Sequence, residues 1–155
     1  MARHKISTVP FWRFLFLLYC AVLLWLLFGR SNGWHTGIPY TTQLQQNTNL
    51  IPFLTIQNYR YVLHHSDSTY MLWHCFINLA GNVLLFVPIG WMLPKLWKWF
   101  RRFFRFFITC LGIIFLVEIL QLFTLLGRFD IDDIILNLTG MILGFLLYLP
   151  FSKKG

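Results

Sequence analysis

Four long apolar stretches dominate the chain, and polar or charged segments separate them. They occupy residues 11–28, 75–93, 106–126 and 134–151. A helix of about 18 residues or more covers the hydrocarbon core of a bilayer, and its backbone hydrogen bonds are satisfied internally. The pattern therefore predicts an all-α bundle of four transmembrane helices, formed by one domain that covers residues 1–155.

The connection between the first two predicted spans, residues 29–74, is long. It is polar up to residue 49 and mixed afterwards. Its apolar runs, residues 50–54 and 59–63, are too short to cross a membrane. We expect these runs to lie on the membrane surface or re-enter it, and to form a lid.

The composition supports a membrane location. The chain is 57% hydrophobic and 19% aromatic, and its mean hydropathy is +0.62, which is not typical of a water-soluble domain. The formal net charge is +8, but the basic residues form short clusters between the spans. Because they make no continuous basic face, the charge does not predict nucleic-acid binding.

The basic residues also predict the orientation. Of the 13 Lys and Arg residues, ten fall on one side of the predicted bundle: Arg3, Lys5, Arg13, Lys95, Lys98, Arg101, Arg102, Arg105, Lys153 and Lys154. The other side has Arg30, Arg60 and Arg128. Since short loops rich in Lys and Arg stay in the cytoplasm during insertion, we expect both termini there and residues 29–74 outside.

Polar residues interrupt three of the predicted spans at helical spacing. They are Asn78 and Asn82 in the second, Glu118 and Gln121 in the third, and a stripe of Asp130, Asp133, Asn137, Gly140 and Gly144 at the start of the fourth. At ~1.5 Å per residue, Asn82, Glu118 and Asn137 lie ~10, ~12 and ~5 Å below the outer edges of their spans. Ionisable and polar groups at a similar depth in a membrane usually mark a functional site. The pattern therefore predicts one acidic pocket open to the outer leaflet.

The same residues have a purely structural interpretation. Amides can hydrogen-bond across helices, glycines can let helices approach closely, and Asp130 or Asp133 can cap the fourth span. Asp132 lies off the stripe and is expected to pair with Arg128.

No metal site or cofactor is predicted. The external histidines, His35, His64, His65 and His74, do not have the spacing of a known metal motif, and we interpret them as solvated loop residues. The cysteines, Cys20, Cys75 and Cys110, show neither metal-ligand nor disulfide spacing.

Four ordered sequence blocks within residues 49–145 resemble the VanZ-like family of bacterial membrane proteins. They read NLIPF at 49–53, GNVLLFVPIG at 81–90, EILQ at 118–121 and RFDIDDIILNLTG at 128–140. The resemblance implies a multi-pass protein of the bacterial cytoplasmic membrane that lowers susceptibility to glycopeptide antibiotics such as teicoplanin. The family's motif residues correspond to Asn82, Glu118, Gln121, Arg128, Asp130, Asp133 and Asn137, which we predict to be the ligand-binding set.

Three functions fit this pattern. The first is a non-enzymatic protein that binds or remodels an envelope component, such as a lipid-linked wall precursor or a lipoglycopeptide antibiotic. The second is a membrane enzyme in which Glu118 and Asp130 or Asp133 act as acid and base, or hold a metal, on a lipid head group. The third is a proton-coupled or ion-coupled carrier that uses Glu118. A chain with four spans would have to form an oligomer to act as such a carrier. The expected partners are membrane lipids, the envelope ligand and further copies of the chain.

Overall fold

A computed structural model describes residues 9–29, 37–65 and 68–152, with no side-chain description for 151 and 152. The basic residues Arg3, Lys5, Arg30, Lys153 and Lys154, as well as His35, lie outside the described residues. Expectations that depend on their positions stay predictions.

The described chain is mainly helical. Its elements are α1 (Val9–Phe28), α2 (Tyr40–Gln46), β1 (Thr48–Asn49), α3 (Leu54–His65), α4 (Thr69–Leu96), α5 (Phe103–Thr124), β2 (Phe129–Asp130) and α6 (Ile131–Ser152), with a 3-10 turn at Lys98–Arg101. Within these ranges four helices, α1, α4, α5 and α6, are long and apolar enough to cross a membrane. The prediction of four spans is confirmed.

The start of α4 differs from the prediction. The helix begins at Thr69 instead of residue 75, and the Ser68 side chain accepts a hydrogen bond from the Met71 N–H. The first turns of α4 contain Thr69, Tyr70 and His74. The sequence prediction counted only apolar residues and therefore left these turns out. A helix whose start is capped by a side chain can begin with polar residues.

Contacts between the helices define their directions. Trp12 in α1 contacts Trp91 in α4, and the Tyr19 hydroxyl donates to the Leu85 carbonyl, so α1 and α4 are antiparallel. Helix α6 runs parallel to α4, with α5 connecting them. The end of α1, the start of α4, the end of α5 and the start of α6 therefore lie at one end of the bundle, which we call the cap end.

Helices α4 and α6 approach each other at three glycines. A Cβ atom on Gly140 would lie 2.1 Å from the Val83 carbonyl oxygen, and one on Gly144 would lie 2.1 Å from the Val87 oxygen. A Cβ atom on Gly90 would lie 2.0 Å from the Met141 oxygen. Carbon and oxygen cannot approach so closely, so this α4–α6 seam requires glycine. The expected close approach at Gly140 and Gly144 is confirmed.

Below the cap end, α5 packs on α6 through apolar side chains, in a core that also contains Phe86, Ile89 and Leu93 of α4. Phe106, Cys110 and Ile114 are almost fully buried against Met141 and Phe145. The Phe106 and Phe145 rings lie 4.7 Å apart. This core joins the three helices of the bundle that carry the predicted site.

The long connection forms α2, β1 and α3. Strand β1 pairs in parallel with β2, with Thr48 opposite Phe129 and Asn49 opposite Asp130. We did not predict these strands, because two residues are too few to show an alternating pattern. The pairing ties the connection to the start of α6.

Candidate functional site

The cap end is organised by the turn between α5 and α6. Leu125 ends α5 in the left-handed conformation, with φ of 54°. The chain then forms β2, where the Phe129 N–H donates to the Asn47 carbonyl at 2.9 Å. This turn brings the predicted acidic residues next to β1 and α3.

Asp130 caps α6. Its Oδ1 atom accepts hydrogen bonds from the Asp132 N–H at 2.9 Å and from the Asn49 side chain at 3.1 Å. Its Oδ2 atom accepts from the Thr55 hydroxyl at 2.7 Å. With three donors and little solvent exposure, this carboxylate has the structural role that we considered for it, which is to cap the fourth span.

Asp132 has a role that the sequence did not predict. It is fully buried, and its carboxylate accepts hydrogen bonds from the N–H groups of Phe53, Thr55 and Ile56, the last two at 2.8 and 3.2 Å. These N–H groups are the unpaired donors at the start of α3, where a negative charge is favourable. The expected pairing of Asp132 with Arg128 is wrong, because the carboxylate is bound to the helix start instead.

Phe53 adopts an unusual backbone conformation in front of this cap. Its φ is 65°, in a region that residues with a side chain rarely adopt. The Phe53 N–H donates to Asp132 Oδ1. We conclude that the buried carboxylate stabilises a strained turn into α3.

Asn82 and Asp133 join α4 to α6. The Asn82 side-chain amide donates to Asp133 Oδ1, and both residues are only partly buried. The charge of Arg128 interacts with that of Asp133. Of the four clustered acids, Asp133 is the most accessible one.

Glu118 lies beneath Asp130. It is 2% exposed, and its Oε2 atom accepts a hydrogen bond from the Asp130 N–H at 3.2 Å. Gln121, one turn further along α5, donates to the Leu27 carbonyl of α1 at 2.9 Å. Glu118 is therefore part of the acidic group, whereas Gln121 attaches α1 to the bundle.

Asn137 follows Asp133 by one turn of α6. It is 2% exposed, and its Oδ1 atom has no hydrogen-bond partner among the described residues. A buried acceptor without a donor is destabilising. Hydrogen bonding between helices therefore does not account for the buried Asn137 carbonyl oxygen.

Open space at the cap end lies beside the acids. A cavity of about 260 Å³, which we call the Arg128 cavity, is lined by Thr48, Asn49, Leu54, Thr55, Asn58, Tyr59 and Arg128. A second cavity, of about 390 Å³, lies between α1 and α4 and includes Asn78, Asn82 and His74 in its lining. The predicted carboxylates do not line either cavity. The Arg128 cavity has a mainly polar lining with one cation, whereas the second cavity combines two asparagines and a histidine with leucine and isoleucine side chains.

Tyr59 connects the Arg128 cavity with the acids below it. The phenol is partly buried, and this burial raises its pKa, with smaller contributions in the same direction from Cys75, Asp133 and Asp130. The phenol is therefore protonated at neutral pH and can donate a hydrogen bond.

The described residues contain no group of three His, Cys, Asp or Glu side chains that could hold a metal ion. His64 and His65 are exposed on the last turn of α3, and His74 lies on α4.

The sequence analysis did not predict that Asn49, Thr55 and Tyr59 belong to the cap-end assembly. The resemblance block NLIPF at 49–53 was the available signal for Asn49.

The four blocks that carried the family resemblance meet at the cap end. Asn49 from the first bonds Asp130 from the fourth, Asn82 from the second bonds Asp133, and Glu118 from the third accepts from the Asp130 N–H. Residues that are distant in sequence therefore form two hydrogen-bonded groups, around Asp130 and around Asp133, and the start of α6 joins them into one assembly.

Comparisons with known proteins identify the family. The sequence model of the VanZ/LLP1 family matches residues 16–152. The chain is also 28% identical over 137 residues to Protein VanZ of Enterococcus faecium, which covers 88% of this chain and 72% of the relative. No solved structure matches. The match of the family model to most of the chain shows that this multi-pass membrane protein belongs to the VanZ/LLP1 family.

Proposed function

We propose that the chain binds or remodels an envelope component at the outer leaflet of the bacterial cytoplasmic membrane and thereby lowers susceptibility to glycopeptide antibiotics such as teicoplanin. The ligand is a lipid-linked wall precursor or a lipoglycopeptide. Membership of the VanZ family, which is associated with teicoplanin resistance, supports the resistance role.

The main supporting observation is the concentration of polar groups at the cap end. Asn82, Glu118 and Asp133 come from three different spans, and the hydrogen-bonded assembly that contains them lies beside two cavities. Polar groups in membrane helices are costly and are usually kept for function. A cavity with a few convergent polar groups is the usual form of a ligand site.

The residues of the predicted binding set have different parts in this proposal. Asp133, Asn82 and Arg128 are accessible enough to contact a ligand directly. Asp130 holds the start of α6, and Gln121 holds α1. Glu118 and Asn137 lie deeper, where they supply polar groups below the contact surface.

The orientation follows from the basic residues. The end of the bundle opposite the cap end carries Arg13, Lys95, Lys98, Arg101, Arg102 and Arg105. Arg60 and Arg128 are the described Lys or Arg residues at the cap end. Since basic loops stay in the cytoplasm, the cap end faces outward in this proposal.

An enzymatic alternative has support from two of the acids. Glu118 and Asp133 interact electrostatically, and each carboxylate accepts one hydrogen bond from the described residues. Two such carboxylates can act as acid and base on a lipid head group. Asp130 does not fit that role, because both of its oxygen atoms are engaged in capping.

The test is teicoplanin susceptibility in a sensitive bacterial host that produces equal membrane amounts of each variant. The wild-type chain should raise the inhibitory concentration, and Asp133→Asn and Asn82→Leu should each reduce that effect. Gly112→Ala is the matched control, because a Cβ atom there meets nothing within 4 Å. A wild-type chain that protects no better than empty vector would contradict the proposal.

Glu118→Gln separates binding from catalysis. The substitution removes the charge but keeps an acceptor for the Asp130 N–H. A binding protein should keep part of its protection, whereas an acid–base enzyme should lose nearly all of it. Mass spectrometry of lipids incubated with the purified protein would show whether a head group has been altered.

A further inference from the structure

The Arg128 cavity differs chemically from the acidic pocket that the sequence predicts. Its lining contains one charged side chain, Arg128, together with hydroxyl, amide and phenol groups. The buried acids Asp130 and Asp132 are occupied by donors from the protein itself. The charged group that a ligand meets directly in this lining is therefore a cation, and the carboxylates of Asp133 and Asp130 lie behind it.

Some hydrogen-bond donors in the cavity lining already bond to other groups of the protein, and others do not. The hydroxyl of Thr48 donates to the Leu44 carbonyl, that of Thr55 donates to Asp130, and the Asn49 amide donates to Asp130 and Thr55. For Arg128, Asn58 and Tyr59, no side-chain hydrogen bond occurs within the described part of the chain. The guanidinium, the amide and the phenol thus remain available to a ligand.

Three such donors suit an anion with several acceptor oxygens. A guanidinium binds phosphate oxygens in a bidentate manner, and charge-assisted hydrogen bonds are about twice as strong as neutral ones. A volume of about 260 Å³ is also too small for a whole lipid but sufficient for a phosphoryl or diphosphoryl group.

The surroundings of the cavity indicate a lipid source for this anion. Leu50, Ile51 and Phe53 are each more than half exposed immediately beside it. An adjoining groove is lined by Leu44, Gln45, Thr48 and Leu50, and it shares Thr48 with the cavity. Apolar side chains at a helix end enter the interface of a bilayer, at the level of the phosphate groups.

From these observations we propose that the Arg128 cavity binds the phosphoryl group of a lipid with a phosphate or diphosphate head group, through Arg128, Asn58 and Tyr59, while the start of the lipid chain lies along Leu44 and Leu50. This inference rests on the proposed function, because it names the chemical group by which the cap end holds an envelope lipid. The buried acids have a supporting role in it, which is to fix α3 and α6 around the cavity.

The test is binding of undecaprenyl diphosphate to the full chain in micelles of dodecyl maltoside, a detergent without phosphate, measured by native mass spectrometry. Undecaprenol, which has no phosphate, and inorganic pyrophosphate, which has no chain, are the two comparison ligands. We expect the diphosphate lipid to bind at least about tenfold more tightly than undecaprenol, as loss of charge-assisted hydrogen bonds would predict. Equal binding of undecaprenol would overturn the phosphoryl assignment.

Variants locate the site. Arg128→Gln should weaken binding of the diphosphate lipid about tenfold or more, Arg128→Lys should keep part of it, and Asn58→Leu should weaken it less than Arg128→Gln. Arg60→Gln is the matched control, because Arg60 is the other described cation at this end and does not line the cavity. We expect Arg60→Gln to change binding by no more than about twofold, since exposed charges are screened by salt.

The outcomes distinguish this inference from the proposed function. Unchanged binding by folded Arg128→Gln, checked by its unfolding temperature, would overturn the inference. Displacement of the lipid by an equal concentration of pyrophosphate would overturn the lipid source and assign the cavity to free phosphate. Protection against teicoplanin without binding of any phosphate probe would overturn the inference and leave the proposed function standing.

Discussion

Helices α1 and α6 are similar in length and apolar character, yet they are packed very differently. The mean hydropathy of the best window is 2.1 in α1 and 1.6 in α6, but 6% of the α1 window is buried in the protein compared with 33% of the α6 window. The more hydrophobic helix is therefore the less buried one. Hydropathy alone does not predict how much of a span is buried, because α5 has a still higher value, 2.4, with 28% of its window buried.

Small and polar residues account for the difference. Helix α6 contributes Gly140 and Gly144 to the seam with α4 and joins that helix through Asp133. Helix α1 is attached by the Tyr19 hydroxyl, by Gln121 and by the position of Lys95 over the Trp12 ring at 3.2 Å. Lipid chains are as apolar as leucine, so packing and hydrogen bonds decide which helices associate.

The largest effect should come from the seam. Gly140→Leu would place a side chain where a Cβ atom alone would lie 2.1 Å from the Val83 oxygen. Helices α4 and α6 would have to separate, and we expect a loss of more than about 3 kcal/mol of unfolding free energy. Steric trapping in bicelles measures this quantity.

Gly112→Leu is the control for the seam. Gly112 lies on an exposed part of α5, and a Cβ atom there meets nothing within 4 Å. We expect a change of less than about 1 kcal/mol. Equal losses from the two substitutions would show that the seam has no special role.

The next effect should come from Asp132. Asp132→Asn would place an amide against three backbone N–H donors, and we expect a loss of about 2 to 3 kcal/mol. Hydrogen exchange followed by mass spectrometry should show faster exchange in α3 while α5 stays protected. The neighbouring variant Asp133→Asn should have a smaller effect, because the amide oxygen that it introduces can still accept a hydrogen bond from Asn82. Unchanged exchange in α3 would contradict the capping role of Asp132.

A smaller effect should accompany loss of the polar link to α1. Tyr19→Phe removes the hydrogen bond to the Leu85 carbonyl, and we expect a loss of about 1 kcal/mol. Tyr61→Phe is the control, because Tyr61 is 64% exposed on α3. Cross-linking between cysteines placed on α1 and α4 should become slower in Tyr19→Phe alone.

The smallest effect should come from the lipid-facing side of α1. Leu17 is 66% exposed, whereas Leu23 on the same helix is 5% exposed. Leu17→Ala should change the unfolding free energy by less than about 0.5 kcal/mol, and Leu23→Ala should lower it by about 1 kcal/mol through lost packing. Steric trapping is again the measurement, and a larger loss from Leu17→Ala would indicate that another partner covers α1.

The stripe on α6 was predictable because its residues are neighbours along one helix. The spacing of Asp133, Asn137, Gly140 and Gly144 follows the turns of a helix, and the seam at the two glycines confirms that interpretation. Asn82 and Glu118 were placed near the fourth span by depth alone. The structure pairs Asn82 with Asp133 and Glu118 with the backbone of Asp130.

Asp132 shows where this reasoning fails. It is adjacent to Asp133 and has the same side chain, but its partners are N–H groups 76 to 79 residues away. Likewise, Asn49 bonds Asp130 across 81 residues. Helical periodicity shows which residues lie on the same face of a helix. It does not show which distant segment of the chain will pack on that face.

The sequence by itself determined the four spans, the stripe on α6 and the family, because apolar length, helical spacing and ordered motifs are local properties of the chain. The tertiary structure alone decided that Asp130 and Asp132 are occupied as caps, that two short strands join the long connection to α6, and that an arginine-lined cavity lies beside the acids. These features depend on how the chain folds back between distant residues, and a hydrogen-bond partner is chosen by position in space.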